Sequence, residues 1–378
     1  MIITRRIEIF ICESDKDLRK EYYEKLYRNR DTAVKIANMG ISHMFMLDNT
    51  TPYLSQEDRE KLEYLGCPKA DGHQNKATKR NAPYVAASMA FKGEADMGMA
   101  SCLLQEVGKA YQDDRKKGMW NKSLRSYKSN LPVPYKRERF ANLRFAEYTD
   151  GEGKTRTGCF FTLMSIPFQM KFGRDRSNNQ AVVQSVIDGK YKMCTSSIKI
   201  DGKKIYLLLC VDIPKKEYEP SVGKTLHCWL GTVNPIVCST EVNARCDCDC
   251  GYKVWAIGTA EEYFHRRREI QAAVKRCQVA NRYTRGGKGR KKKCQAIERW
   301  HDVERNYVDT KLHTYSRMLV DMAVKHKCAT ILLRDQEERA EEAKSDDDGL
   351  VLRNWSYYGM MEKIKYKAKM YGIEVAKE

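Results

Sequence analysis

Between positions 261 and 300 the chain carries 13 Lys or Arg against 4 Glu, a net of +9. Arg266, Arg267 and Arg268 stand together on one predicted helix, and Lys275, Arg276 and Arg282 follow. Arg285, Lys288, Arg290, Lys291, Lys292 and Lys293 then surround Gly286, Gly287 and Gly289. Cations in such a run displace the counterions of a phosphate backbone, and glycines let that backbone approach closely. Tyr283 and Trp300 add faces on which a base can stack. A charge run alone usually means a solvated helix face. Here the whole-chain balance, 69 Lys plus Arg against 50 Asp plus Glu, points the same way as the local one, which favours nucleic-acid contact. A smaller patch joins Arg125, Tyr127 and Lys128 to Lys136, Arg137 and Arg139. The remaining candidates for chemistry are weaker. Cys246, Cys248 and Cys250 are spaced C-x-C-x-C, not as the paired C-x-x-C of a zinc site, and read as a surface loop between strands. Cys67 with His73 reads as structural.

A chain of 378 residues exceeds one ordinary core, so two or three domains are expected. The net charge of +19 suits a polyanionic partner. No apolar run is long enough to span a bilayer, and no secretory h-region follows Met1-Ile2-Ile3-Thr4-Arg5-Arg6. The 14 cysteines are dispersed, as in a chain that keeps them as thiols. A cytoplasmic nucleic-acid binder with no membrane association, nucleoid-associated in a bacterium, is the expectation.

The elements that must position these residues follow from the patterning. Residues 2–12 alternate as a strand. Ser14-Asp15-Lys16-Asp17 resembles a helix start, and helical spacing continues to about residue 120, with a polar break at 67–83. Leu18, Tyr22 and Leu26 lie on one face of the first helix. Pro132 and Pro134 mark a boundary. Strands are predicted at 160–166, 197–200 and 205–211, the last two joined by Asp201-Gly202, whose residue types suit a tight hairpin turn. Residues 214–223 read as a linker. A hairpin over 228–237 and 253–258 follows. Long helices come next, with a glycine-basic hinge at 285–290. Leu312, Tyr315, Leu319 and Met322 repeat at helical spacing. Residues 329–333 form a short apolar strand. Trp355, Tyr358, Met361, Ile364 and Ala368 line a last helix as core, capped by Gly372. Strand, helices, strand, helix, strand is an α/β layer pattern.

Two segments resemble strands of an RNase-H-like nuclease core. They are Leu226-His227-Cys228-Trp229-Leu230-Gly231-Thr232-Val233 and Thr330-Ile331-Leu332-Leu333-Arg334-Asp335-Gln336. The first such strand carries an Asp and the later one a Glu, because bound Mg²⁺ needs oxygen ligands. Those places here hold Trp229 and Arg334. More widely, the chain resembles the miniature type V-F CRISPR effectors, relatives of the TnpB nucleases. The matching segments are 125–132, 285–290, 313–323 and 328–331, with Asn354-Trp355-Ser356-Tyr357-Tyr358, 363–368 and Tyr371-Gly372-Ile373-Glu374-Val375. The match is close in the last third and one of layout before it.

The resemblance implies an α+β multidomain fold: a helical recognition lobe, a β-barrel-like wedge domain and an RNase-H-like (RuvC-type) α/β domain. The corresponding spans are a wedge strand at 1–13, a helical recognition domain at 14–124, a β-rich wedge at 125–223 and a RuvC-like domain at 224–378. Active members have Gly-Ile-Asp-Leu-Gly where this chain has His227-Cys228-Trp229-Leu230-Gly231, and Glu-Asp-Leu where it has Arg334-Asp335-Gln336. They also continue into a zinc ribbon beyond the position of Glu378. The expectation is therefore a protein that is not an enzyme, with no catalytic Mg²⁺ and no zinc. It would use Tyr127, Lys128, the cations of 266–293 and Arg317 to hold a guide RNA and a target duplex DNA with a short flanking motif. Two such copies on one guide are expected. Nuclease-dead relatives resemble transcription regulators, either recruiting a sigma factor and RNA polymerase or occluding promoters. The acidic segment 337–348 is a candidate partner site. A nuclease with displaced acids, for which Asp335 or Glu337 could shift forward, and a plain RNA-binding protein are the alternatives.

Overall fold

The computed structural model describes residues 1–58, 82–118, 124–149, 153–175, 177–202, 204–214, 217–230, 234–242, 244, 252–282, 288–334 and 357–377. They fall into two units, Met1–Pro214 and Lys215–Glu378.

In the first unit β1 (Ile2–Ile11) lies in the middle of an antiparallel sheet, between two strands that come about 160 and about 200 residues later in sequence. Its partners are β8 (Lys204–Asp212) and β5 (Ile166–Lys171). The order is β2-β7-β8-β1-β5-β4-β3, with β2 at Val133–Tyr135, β3 at Ala141–Thr149, β4 at Thr155–Leu163 and β7 at Ser196–Asp201. Short β6 (Lys192–Met193) adds to β8. Period-two alternation explains the pairing: Ile7, Ile9 and Ile11 of β1 and Ile205, Leu207 and Leu209 of β8 all point into one core. The β7–β8 hairpin turns at Asp201-Gly202, but only Gly202 has a positive φ, 60°, while Asp201 is still in β7 and pairs with Lys204. Helix α1 (Lys16–Thr50) starts at Asp15, whose carboxylate accepts from the amides of Asp17 and Leu18. Leu26 of its predicted apolar face is buried, but Leu18 is 36% exposed, because the first turn of the helix lies mostly in solvent. Helix α2 (Ala82–Phe91) has Pro83 in its first turn, and α3 (Met97–Lys116) packs on α1. The polar break at 67–83, apart from these first residues of α2, lies outside the described residues, as does Cys67 with His73. A further helix, α4 (Asn179–Ile187), buries Val182, Val183 and Val186.

The second unit is built on the order β11-β10-β9-β12-β13. Strands β9 (Ser221–Trp229), β10 (Ile236–Ser239) and β11 (Trp255–Ile257) form an antiparallel meander. Strand β12 (Cys328–Arg334) then joins β9 in parallel, and β13 (Glu374–Lys377) joins β12 in parallel. Parallel neighbours need crossovers. Helices α5 (Ala260–Asn281) and α6 (Lys288–Lys325) make the first, and α7 (Tyr357–Ala368) the second. The predicted repeat of α6 is its core face: Leu312, Tyr315 and Leu319 are buried with Ile331, Met360 and Ile364.

Several boundaries differ from the sequence expectation. Strand β9 begins inside the stretch read as a linker. Its first four residues are exposed and give no apolar period; pairing with the turn at Lys327 sets them, since the Ser221 amide donates to the Lys327 carbonyl at 2.9 Å. The basic hinge is partly helix, because α6 already starts at Lys288. Tyr358, expected in the core, is 72% exposed, because it stands in the first turn of α7, at the edge of the face that buries Met361 and Ile364. Gly372 does close that helix, at φ 74°, with the Ile373 amide bonded to the Ala368 carbonyl at 3.1 Å.

Gly258, between β11 and α5, has φ 75°, and an added Cβ would lie 2.6 Å from the Tyr315 ring. Gly258→Ala is expected to destabilise the protein by about 2 kcal/mol or more through backbone strain and overpacking. Urea unfolding checks this, and an unchanged midpoint would contradict it.

Candidate nucleic-acid interface

Helix α5 divides its cations between two roles. Tyr263, Arg267, Ile270 and Val274 recur every three or four residues and are buried. Arg268, Lys275 and Arg282 lie seven residues apart, so they share the outer face, and all three are exposed, as is Arg276. At 1.5 Å per residue, Arg268 and Arg282 are about 21 Å apart along the axis. This is a stripe of positive charge on a rigid element. Arg266 is also exposed but bonds Glu269 at 2.6 Å. At the start of α6, Lys292 is exposed. Backbone helix extends through Lys288, Arg290, Lys291 and Lys293. Arg285, Gly286 and Tyr283 lie outside the described residues, and Trp300 is half-buried.

Arg267 is not part of the stripe. Its side chain is 6% exposed, and its Nε donates to Glu304 of α6 at 2.8 Å. The same carboxylate accepts from Gln271. Tyr307 of α6 donates to the Glu262 and Tyr263 carbonyls, and its ring stacks on Tyr263 at 6.0 Å. These contacts hold α5 against α6. Arg317 is similarly committed, to Asp321 at 3.0 Å and to the Tyr371 hydroxyl at 3.0 Å. In the other unit the Tyr127 backbone exchanges two hydrogen bonds with the Asn38 side chain, at 2.8 and 3.0 Å, and its ring packs on the core. Lys128 beside it is exposed, whereas Arg125 forms a bidentate pair with Asp114 at 2.7 and 3.0 Å. Sequence spacing located the outer stripe. It could not find Glu304, because the partner of a buried arginine lies 37 residues away and carries no local signal.

At the carboxyl ends of the central parallel strands, Trp229 and Arg334 are register partners. The indole is buried, the guanidinium carbon lies 6.0 Å from its centroid, and the Arg334 Nη1 donates to the Val242 carbonyl at 3.0 Å. The resemblance therefore singled out two positions that are neighbours in space. Ligands in such sheets gather at this end. Among the described residues no three His, Cys, Asp or Glu side chains group to hold a metal ion. Asp335, Glu337, the acidic segment 337–348 and the Cys246-Cys248-Cys250 cluster lie outside those residues. Also among them, no helix is long and apolar enough to cross a membrane.

One charged group that spacing did not single out is Lys367 of α7. It is buried, donating to the Ser316 hydroxyl at 2.8 Å and to the His313 carbonyl. Burial first, then the Arg317 and Lys363 charges, push its ammonium down to about 8.

No protein-family model matches the chain. It is 27% identical over 286 residues to the CRISPR-associated endodeoxyribonuclease Cas12f1 of Sulfoacidibacillus thermotolerans, a match covering 71% of this chain and 62% of that protein. It is 37% identical over 110 residues to the Cas12f1 of Syntrophomonas palmitatica, 29% of this chain and 20% of that one. The chain thus spans less than two thirds of the length of these relatives. In fold it is similar to a solved Cas12f1–sgRNA–target DNA complex, with a TM-score of 0.67 and 18% identity over 95% of this chain and 73% of that one. The chain is a relative of the miniature type V-F CRISPR effectors, and its α+β fold is theirs. The expectation that it is not an enzyme is overturned by the same finding, because these relatives are named endodeoxyribonucleases. The physical reason is that Trp229 and Arg334 account for two ligand positions only, and carboxylates such as Asp335 adjoin them in sequence.

Two stability predictions follow from this packing. Glu304→Ala leaves a buried guanidinium unpaired and is expected to cost about 3 kcal/mol or more, whereas Arg267→Met with Glu304→Leu recovers most of that loss. Urea unfolding of the single and double variants tests this; equal losses in both would contradict it. For Lys367 the folded ammonium titrates near 8 and the unfolded one near 10.4. Between those values the unfolded chain binds more protons, so stability rises with pH. The rise between about pH 8 and pH 9.5 is expected to be smaller in Lys367→Met, and parallel pH profiles would contradict this.

Proposed function

We propose that the chain binds a guide RNA and, through it, matched duplex DNA. The observation that carries this reading is the 286-residue similarity to Cas12f1. It is supported by the nature of the structural neighbour, a complex with sgRNA and target DNA, by the net charge of +19, and by the exposed stripe of α5. In such a complex base pairing reads sequence, while the protein holds backbones and a short flanking motif. Arg268, Lys275, Arg276 and Arg282 are the phosphate contacts, with Lys292 and the neighbouring cations of 285–293 extending them; Lys128 is a separate contact in the first unit. Arg267 acts by fixing α5 on α6, and Arg317 by bonding Tyr371 beyond the end of α7. We read the second unit as RNase-H-like and RuvC-type, since its three-strand meander followed by two parallel strands is the order that core requires.

A second layer of the proposal concerns the outcome of binding. Guided occupancy of a promoter would act on transcription, by recruiting a sigma factor and RNA polymerase or by covering it. Two copies on one guide would form the working assembly. The nuclease reading, favoured by the relatives' names, starts from the same guided complex and gives cut DNA in Mg²⁺.

The test is a gel-shift with the chain loaded with its co-purified RNA, using matched and mismatched duplexes with Mg²⁺ present and the DNA inspected for cleavage. The matched duplex is expected to be retained and the mismatched one released. Arg268→Glu with Lys275→Glu is expected to weaken retention and lower the salt slope by about 1.5. Equal binding of both duplexes would contradict guided recognition.

A further inference from the structure

A separate constellation joins the start of β11 to the turn between α6 and β12. The Trp255 indole of β11 packs on the His326 imidazole, with centroids 4.4 Å apart and planes at 34°. The Lys253 ammonium lies 5.9 Å from the indole centroid. Lys224, near the start of β9, and Lys325, at the end of α6, act with Lys253 on the same imidazole, so among the described residues the charges acting on it are cationic. The three lysines are exposed, and both rings are half-buried. Their setting is fixed. The His326 amide bonds the Met322 carbonyl at 3.0 Å, Lys327 turns the chain at φ 56°, and the Lys327 carbonyl holds the first residue of β9.

A helix C-terminus favours cations, which accounts for Lys325. It does not account for Lys224 and Lys253, which arrive from the sheet. Mutual repulsion of three ammonium groups around an aromatic pair is unfavourable unless an anion offsets it. Phosphates beside a stacking surface are the chemistry that single-stranded nucleic acid offers.

We propose that Lys224, Lys253, Lys325, Trp255 and His326 form a contact for a nucleic-acid strand, with phosphates on the lysines and one unpaired base against the aromatic pair. Lys224 and His326 lie at the amino-terminal ends of β9 and β12, and Trp255 lies at the start of β11. The site rests on the reading that the chain handles nucleic acid and adds a second place where it does so. Burial and the lysines hold the imidazole pKa below its ordinary value, so at neutral pH the ring stacks without adding to the charge.

The experiment uses the full chain, a single-stranded RNA of mixed sequence and a DNA duplex of equal length. Lys224→Glu with Lys253→Glu and Lys325→Glu is expected to reduce the salt slope for the RNA by about two. Trp255→Ala is expected to weaken RNA binding roughly fivefold or more, with Trp255→Phe retaining it. The His326 imidazole resonances, assigned with His326→Gln, are expected to shift on adding RNA and to move less with the duplex. If the unmodified chain binds neither probe, the proposed function and this site fail together. If it binds RNA while the slope and the His326 resonances stay unchanged, this site alone is overturned.

Discussion

The parallel pairing of β9 with β12 is the constraint on which the second unit depends. The two strands lie about a hundred residues apart in the chain, and parallel neighbours cannot be joined by a turn. The connection must leave the sheet, cross and return, and α5 and α6 are that crossover. Once it is required, its inner face must be apolar or internally satisfied. Its outer face is left to carry charge. The stripe at Arg268, Lys275 and Arg282 is thus the exposed side of an element whose hidden side is Tyr263, Ile270 and the Arg267–Glu304 pair.

That division explains why counting cations overstates the interface. Arg267 and Arg317 are basic residues in a basic region, yet Arg267 pairs with Glu304 across α5 and α6, and Arg317 pairs with Asp321 on its own helix. A buried ion pair adds little net stability over apolar packing but is costly to break, so its role here is to fix how α5 sits on α6. The surface cations then present a stable spacing along the axis. Positive charge that is both exposed and rigidly placed loses less ordering entropy on binding a polymer than charge on a loose segment.

Much of the architecture was legible because it is periodic. The alternation in β1 and β8, the Asp201-Gly202 turn, the Asp15 cap and the buried repeat of α6 each reflect one local rule. What was illegible is non-local. The start of β9 is exposed and has no apolar period, and its partner strand and the Lys327 carbonyl make it a strand. Tyr358 fits the apolar period of α7 but stands exposed in its first turn, at the edge of the buried face. Glu304, Lys367 and the Trp255–His326 pair meet across the fold from distant positions, and nothing near them in sequence announces it. The resemblance found Trp229 and Arg334, which the parallel register then made neighbours. It could not decide what those two substitutions mean for activity, because ligand chemistry depends on all the carboxylates around a site.

The central claim is that the basic surfaces hold one defined guide and not nucleic acid at large. Its most direct test is to purify the chain from its native cells and sequence the RNA that stays bound. The account predicts a discrete RNA, with a constant portion shared by all molecules joined to a variable portion that matches DNA. A heterogeneous sample of cellular RNA, or none, would contradict it.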